Sequence, residues 1–211
     1  DKGSIYGLIG VNGSGKTTLI KHLVGVYKSD CGEVLFDGLP VYENEEIKRR
    51  IAYVPDDLYF YGSYSLEDMA QYYSGIYKNF SMSRFKNMVE DFNLMPKAKI
   101  RTFSKGMQKQ AMFILQLSHY PEYLILDEPI DGLDPIVRKK VWSYVLNDVA
   151  DRQMTVLISS HKLRELEGIC DSVGILSQGS LRFEGKLENL KNEAKNMSLE
   201  ELFFYEMGGE N

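Results

Sequence analysis

Eight consecutive residues, Gly10-Val11-Asn12-Gly13-Ser14-Gly15-Lys16-Thr17, have the types and spacing to hold a polyphosphate. They fit the pattern G-x-x-x-x-G-K-[ST]. Glycines let successive backbone N–H groups turn inward onto phosphate oxygens. A helix beginning at the end of such a loop adds free N–H donors and partial positive charge. In this pattern the Lys16 ammonium reaches the outer phosphates and the Thr17 hydroxyl ligates Mg²⁺. Asn12, Gly13, Ser14, Gly15 and Thr18 complete the cradle. A Gly-rich turn with an accidental lysine would read the same in isolation. The flanks argue against it, because residues 4–9 read as a short apolar strand and residues 18–24 as the first turns of a helix.

A second chemical group lies far along the chain. Residues 123–126 are a continuous apolar run, as in a buried parallel strand, and end in Asp127-Glu128-Pro129. Carboxylates at the C-terminal end of such a strand face the ligand crevice of an open α/β sheet. Asp127 is placed to hold Mg²⁺ through water, and Glu128 to orient or deprotonate an attacking water. On its own this pair is an acidic turn after a strand; the phosphate loop makes it half of a site. His161 follows a third apolar strand, 155–158, and could touch a terminal phosphate. The other histidines, His22 and His119, lie in helical patterns and are assigned no role.

The remaining elements must position these groups. Residues 32–36 read as a strand before the turn pair Asp37-Gly38, residues 45–50 as a charged helix, and residues 51–54 as a strand stopped by Pro55. Eight aromatics then crowd between Tyr59 and Phe80. Ser65 with Asp68 resembles a capping box, and Leu66, Met69, Ala70, Tyr73, Ile76 and Tyr77 recur at helical spacing. Ser81 caps a further helix to Phe92. The aromatics pack a small helical insertion or form a docking surface, since Tyr and Phe are enriched at interface cores. Ser104 sits where a helix N-cap belongs, with Gly106 allowing close backbone approach. Asp134-Pro135 fits an N-cap and first helical position, and Val137, Val141, Val145 and Val149, with Trp142 beside them, form one apolar face. Residues 173–176 and 181–184 read as a hairpin. The tail from Leu187 is helical, with Leu199, Leu202, Phe203 and Tyr205 as a packing face and a frayed end at 208–211.

The 211 residues suit one α/β domain with an insertion. A net charge of -5 argues against a nucleic-acid-binding surface as the main function. The two cysteines, Cys31 and Cys170, form no CxxC and read as buried thiols of a reducing compartment. No apolar run approaches the ~20 residues that span a bilayer, and no signal peptide is seen, so membrane association would come through a partner.

The order of these motifs resembles the nucleotide-binding subunit of an ATP-binding cassette (ABC) transporter, over nearly the whole chain. Residues 10–17 resemble its Walker A loop, and 123–128 its Walker B strand with the catalytic glutamate. Ser104-Lys105-Gly106-Met107-Gln108 resembles its signature sequence, Asp134 its D-loop aspartate and His161 its switch histidine. The resemblance implies a mostly parallel P-loop (RecA-like) sheet with a small antiparallel portion, a core over 1–57 and 119–184, a helical subdomain over 58–118 and a helical tail over 185–211. It implies ATP and Mg²⁺ as ligands, with Lys16, Glu128 and His161 catalytic. Two cassettes would sandwich ATP, so that the signature of one, with Ser104, Gly106 and Gln108, faces the phosphate loop of the other, and Asp134 is counted among the nucleotide-binding residues. The partners implied are a transmembrane permease and a second cassette, identical or paralogous, with no nucleic acid, on the cytoplasmic face of the cell membrane. The Ser-Lys-Gly-Met-Gln form, with Lys105 where Gly is commonest, resembles an exporter branch whose membrane subunit is a separate chain. Asp56 stands near the place of a usual Gln and is a candidate Mg²⁺ ligand. The family's N-terminal strands, with the aromatic that stacks on adenine, are expected before residue 1 and are missing from this sequence. The competing reading is an ABC ATPase acting on ribosomes, DNA or division machinery; a third is a cassette that binds nucleotide without hydrolysis, against which Glu128 and His161 stand.

Overall fold

A computed structural model describes residues 1–130, 132–189 and 198–206. The strands are β1 (Ile5–Ile9), β2 (Leu35–Phe36), β3 (Leu39–Pro40), β4 (Ile51–Val54), β5 (Tyr123–Asp127), β6 (Thr155–Ser160), β7 (Ser172–Ser177) and β8 (Ser180–Lys186). The helices are α1 (Lys16–Leu23), α2 (Glu45–Arg50), α3 (Leu66–Ile76), α4 (Met82–Asp91), α5 (Lys105–Leu117), α6 (Pro135–Arg152), α7 (Leu163–Glu167) and α8 (Leu199–Glu206).

Six strands make one sheet in the order β4-β5-β6-β1-β7-β8. The first five run parallel, and β8 returns antiparallel to β7. Parallel strands are buried on both faces and therefore read as unbroken apolar runs. Ile5, Leu8, Ile9, Leu124, Leu126, Val156 and Ile158 are all buried. The parallel register has a functional consequence: the C-terminal ends of neighbouring strands come out on one edge. Ile9 pairs with Ser160, and Asp127 with Ser159. The phosphate-type loop, the acidic pair and His161 thus leave the sheet side by side.

Between β4 and β5 the chain leaves the sheet to form α3, α4 and α5. Local chemistry starts each helix as its sequence requires. Ser65 and Asp68 make a reciprocal capping box, and Ser81 and Ser104 accept from the backbone N–H groups of Arg84 and Met107. Asp134 accepts from Ile136 and Val137 ahead of Pro135 at N1. On α6, Val141 and Val145 are buried, with Val137, Trp142 and Val149 packed at their edge.

Several expectations are corrected. The strand read over 32–36 shrinks to Leu35–Phe36, which pairs with β3 in a separate two-stranded sheet. Cys31 is exposed, and only Cys170 is buried, where loss of solvation pushes its thiol up to about 12. His119 lies past the end of α5, buried, with its ring stacked on Tyr77 at 4.0 Å between centroids. The aromatic stretch divides: Tyr64, Tyr73 and Phe80 pack against the core, whereas Tyr59, Tyr61 and Tyr72 are exposed. In α8, Leu199 and Leu202 are buried, but Tyr205 faces solvent. Asp131, residues 190–197 of the tail and the end at 208–211 lie outside the described residues.

Candidate functional site: a phosphate loop facing two carboxylates

The loop after β1 enters α1 through Gly15, whose φ of 109° is a conformation open to glycine and costly for other residues. Beyond it, Lys16 and Thr17 open the helix. Thr17 and Thr18 are exposed at this end, while Lys16 is only 6% exposed. The Lys16 ammonium bends back over its own loop and donates to the carbonyls of Gly10 at 2.7 Å and Val11 at 3.3 Å. It also lies 3.5 Å from Oε1 of Glu128. A buried ammonium held by carbonyl oxygens and one carboxylate can exchange those partners for phosphate oxygens without leaving its place.

Asp127 is 1% exposed. Its Oδ1 accepts the Ser159 hydroxyl at 2.6 Å, and its Oδ2 is buried without a hydrogen-bond partner. Such a carboxylate oxygen calls for a cation or a bound water. Glu128 follows with a φ of 46°, the left-handed region, which costs a non-glycine residue about 1 kcal/mol. Its N–H donates to the Ser159 carbonyl at 3.2 Å and hydroxyl at 3.1 Å. Its Oε2 lies 2.9 Å from Nδ1 of His161. Asn12, Gly13, Gly15, Lys16, Thr17, Thr18, Asp56 and Glu128 line one open cleft of about 410 Å³. Negative charge gathers on its far wall. Tyr53 on β4 has its hydroxyl pushed up to about 12, chiefly by burial and further by the charges of Asp127 and Asp56.

Ser104, Gly106, Gln108 and Asp134 are not brought into this cleft. They sit at the mouths of α5 and α6. Gly106 is forced by packing, since a Cβ there would lie 2.9 Å from the Gly132 carbonyl. The Gln108 amide donates to the Phe103 carbonyl at 3.1 Å. Sequence reasoning missed two residues. Ser159 holds both Asp127 and Glu128. Lys109, 7% exposed, donates from α5 to the Glu128 carbonyl at 3.0 Å and lies 3.4 Å from Oδ1 of Asp56. A lysine inside a helix as apolar as α5, just after the signature-like residues, was the available signal.

The geometry is that of a phosphate-type loop facing two carboxylates, and the comparisons name the family. A family model described as "ABC transporter" matches residues 1–131. The chain belongs to the ABC transporter family, as an ATP-binding domain. The cassette is 33% identical over 193 residues to the ABC transporter ATP-binding protein YtrB of Bacillus subtilis, covering 92% of this chain and 66% of YtrB. It is 35% identical over 193 residues to the bacitracin transport ATP-binding protein BcrA of Bacillus licheniformis, covering 90% of this chain and 63% of BcrA. The cassette thus spans about two thirds of the length of these relatives. A solved structure of an ATP-binding subunit of an ABC transporter superposes with a TM-score of 0.90 at 28% identity, covering 98% of this chain and 89% of that one.

Proposed function

We propose that this cassette binds ATP with Mg²⁺ and hydrolyses it to drive an exporter, as the peripheral subunit of a membrane permease on its cytoplasmic face. The observation that carries the reading is that Lys16 and Glu128 face each other in one cleft, with His161 held against Glu128 and the buried Asp127 next to it in the chain. No helix among the described residues is long and apolar enough to cross a membrane, so on this reading the transmembrane part lies outside them. Similarity to BcrA, named for bacitracin transport, supports a role in transport.

The donor set suits Mg²⁺ delivered with the nucleotide. Among the described residues no three Asp, Glu, His or Cys side chains cluster as a metal site, whereas Asp127 keeps an unpartnered buried oxygen. Thr17 and, through water, Asp127 would hold the ion, with Asp56 a further candidate ligand. Bound there, Mg²⁺ would neutralise charge on the outer phosphates. The loop N–H groups and Lys16 bind the phosphates. Glu128 accepts the proton of the attacking water, and His161 fixes the orientation of its carboxylate. The signature residues Ser104, Gly106 and Gln108 stand apart from the cleft of their own chain, and this supports a second cassette supplying them in trans.

Glu128→Gln in the full-length subunit tests the reading. It keeps the shape but removes the base, so ATP binding should persist while turnover falls about 10²–10⁴-fold. ATP should then hold two cassettes together, seen as a dimer by size-exclusion chromatography that ADP does not support. Normal turnover in Glu128→Gln would overturn the assignment.

A further inference from the structure

We propose that Lys109 is a positioning residue for Glu128, and that it makes the base dependent on where the α3–α5 helical layer sits. The inference rests on the reading of Glu128 as the base. Glu128 has a left-handed backbone, so its peptide planes must be held if its carboxylate is to point one way. The N–H side is held by Ser159 of β6. The carbonyl side is held by Lys109, at 3.0 Å, from a helix outside the sheet. The side chain then meets Lys16 and His161. Residue 128 is therefore tied to its surroundings from several sides, and Lys109 is the tie that comes from a helix outside the sheet.

Lys109 is a deliberate choice of residue. An ammonium this buried is costly unless its donors are satisfied. Its partners are the Glu128 carbonyl and Asp56, whose own side chain is 56% exposed at the exit of β4. A Gln in place of Asp56 would leave the ammonium without that countercharge. The acidic residue at 56 and the lysine at 109 thus form one device, which joins the β4 exit to α5 and both to the carbonyl of the base. Displacement of α5 by about one ångström would release that carbonyl, and misplacement on this scale costs up to about 10²-fold in rate.

The test uses the full-length subunit, with ATP and Mg²⁺ as the probe, and measures single-turnover hydrolysis beside ATP affinity and stoichiometry. Lys109→Met should lower the hydrolysis rate about 10–100-fold, with one ATP still bound per chain and affinity within about threefold. Lys109→Arg, which keeps the cation, should recover most of the rate. The deciding comparison is Lys109→Met in a Glu128→Gln background. A residue acting through Glu128 adds less than about twofold there, because the two losses are not additive. The same factor of loss in both backgrounds would make Lys109 a merely structural lysine and overturn the proposal. So would normal hydrolysis by Lys109→Met, while Glu128→Gln alone remained defective and the base assignment stood. If Lys109→Met fails to bind ATP at one per chain, Lys109→Gln takes its place in both backgrounds, and the same two results support or overturn the proposal. Full activity of Glu128→Gln itself would instead remove the underlying reading.

Discussion

Lys16 and Glu128, on opposite walls of the cleft, face each other at 3.5 Å. The pair joins the residue best placed to bind phosphate to the residue best placed to activate water. Each holds the other's charge in a site where neither is more than 14% exposed. An incoming phosphate competes for the ammonium, and the released carboxylate still has His161 at 2.9 Å. On the proposed reading, binding and activation of the base are therefore linked by one ion pair.

Loss of the cation should damage binding as well as turnover, unlike loss of the base. Lys16→Ala leaves Glu128 facing the phosphates without a countercharge. ATP binding should weaken by at least about tenfold, and hydrolysis should vanish. Equilibrium binding of a fluorescent ATP analogue and phosphate release measure the two. Wild-type hydrolysis in Lys16→Ala would contradict the placement of the loop.

Asp56 discriminates two roles. As a ligand on the Mg²⁺ side it should tolerate Asp56→Gln, since a carbonyl oxygen remains, and suffer from Asp56→Ala. As the countercharge of Lys109 it should suffer from both, with Asp56→Gln losing about 0.5–1.5 kcal/mol of stability as well. Steady-state hydrolysis over a Mg²⁺ titration, with urea midpoints, separates these outcomes. A right-shifted Mg²⁺ dependence marks a ligand; a stability loss without such a shift marks the ion pair.

The sheet edge was legible in the sequence because two strong signals coincide there. Residues 10–17 obey a strict spacing, and the apolar runs of β5 and β6 end in residues that do chemistry. Ser65, Ser81, Ser104 and Asp134 were legible as caps because a cap is local: a side chain meets a backbone N–H two or three residues on. Ser159 and Lys109 were not legible. Their importance depends on register between β5 and β6 and on α5 packing beside the exit of β5, which are contacts between residues far apart in sequence. The aromatic stretch failed as a single class for the same reason. Spacing puts Tyr72 and Tyr73 next to each other, and only packing decides that Tyr73 turns inward and Tyr72 outward.

That division gives a prediction about the exposed rings. Tyr59, Tyr61 and Tyr72 form a continuous edge-to-face chain, with Tyr59–Tyr61 centroids at 6.0 Å and Tyr61–Tyr72 centroids at 5.4 Å. If this face docks a permease, alanine at Tyr59 and Tyr72 should leave the melting temperature and ATPase activity of the isolated cassette within experimental error. Co-purification with the membrane subunit should fall. Tyr73→Ala, which removes a ring packed against the core, should instead cost about 3 kcal/mol of stability. Equal destabilisation by all three would make the whole stretch core.

His119 gives the cassette an acid-sensitive fold. Burial strips its ring of water and holds its pKa at about 4, against an ordinary value near 6.5. The neutral ring stacks on Tyr77 at 4.0 Å, and the nearby Arg152 charge further disfavours a proton. The folded pKa is depressed, so the unfolded chain binds more protons between about pH 6.5 and pH 4. Stability is therefore complete above the unfolded value and falls as pH drops through that window, by about 2 kcal/mol between pH 7 and pH 5. Below about pH 4 the ring is protonated in both states and contributes no further slope. Carboxylates add their own acid dependence, so the histidine must be isolated by difference. His119→Phe keeps an aromatic ring on Tyr77 and removes the titrating nitrogens. Unfolding free energies from urea melts of the wild type and His119→Phe should shift relative to each other, in favour of the variant, by about 2 kcal/mol on going from pH 7 to pH 5. A difference between the two proteins that stays constant across that range would show that His119 does not titrate with folding.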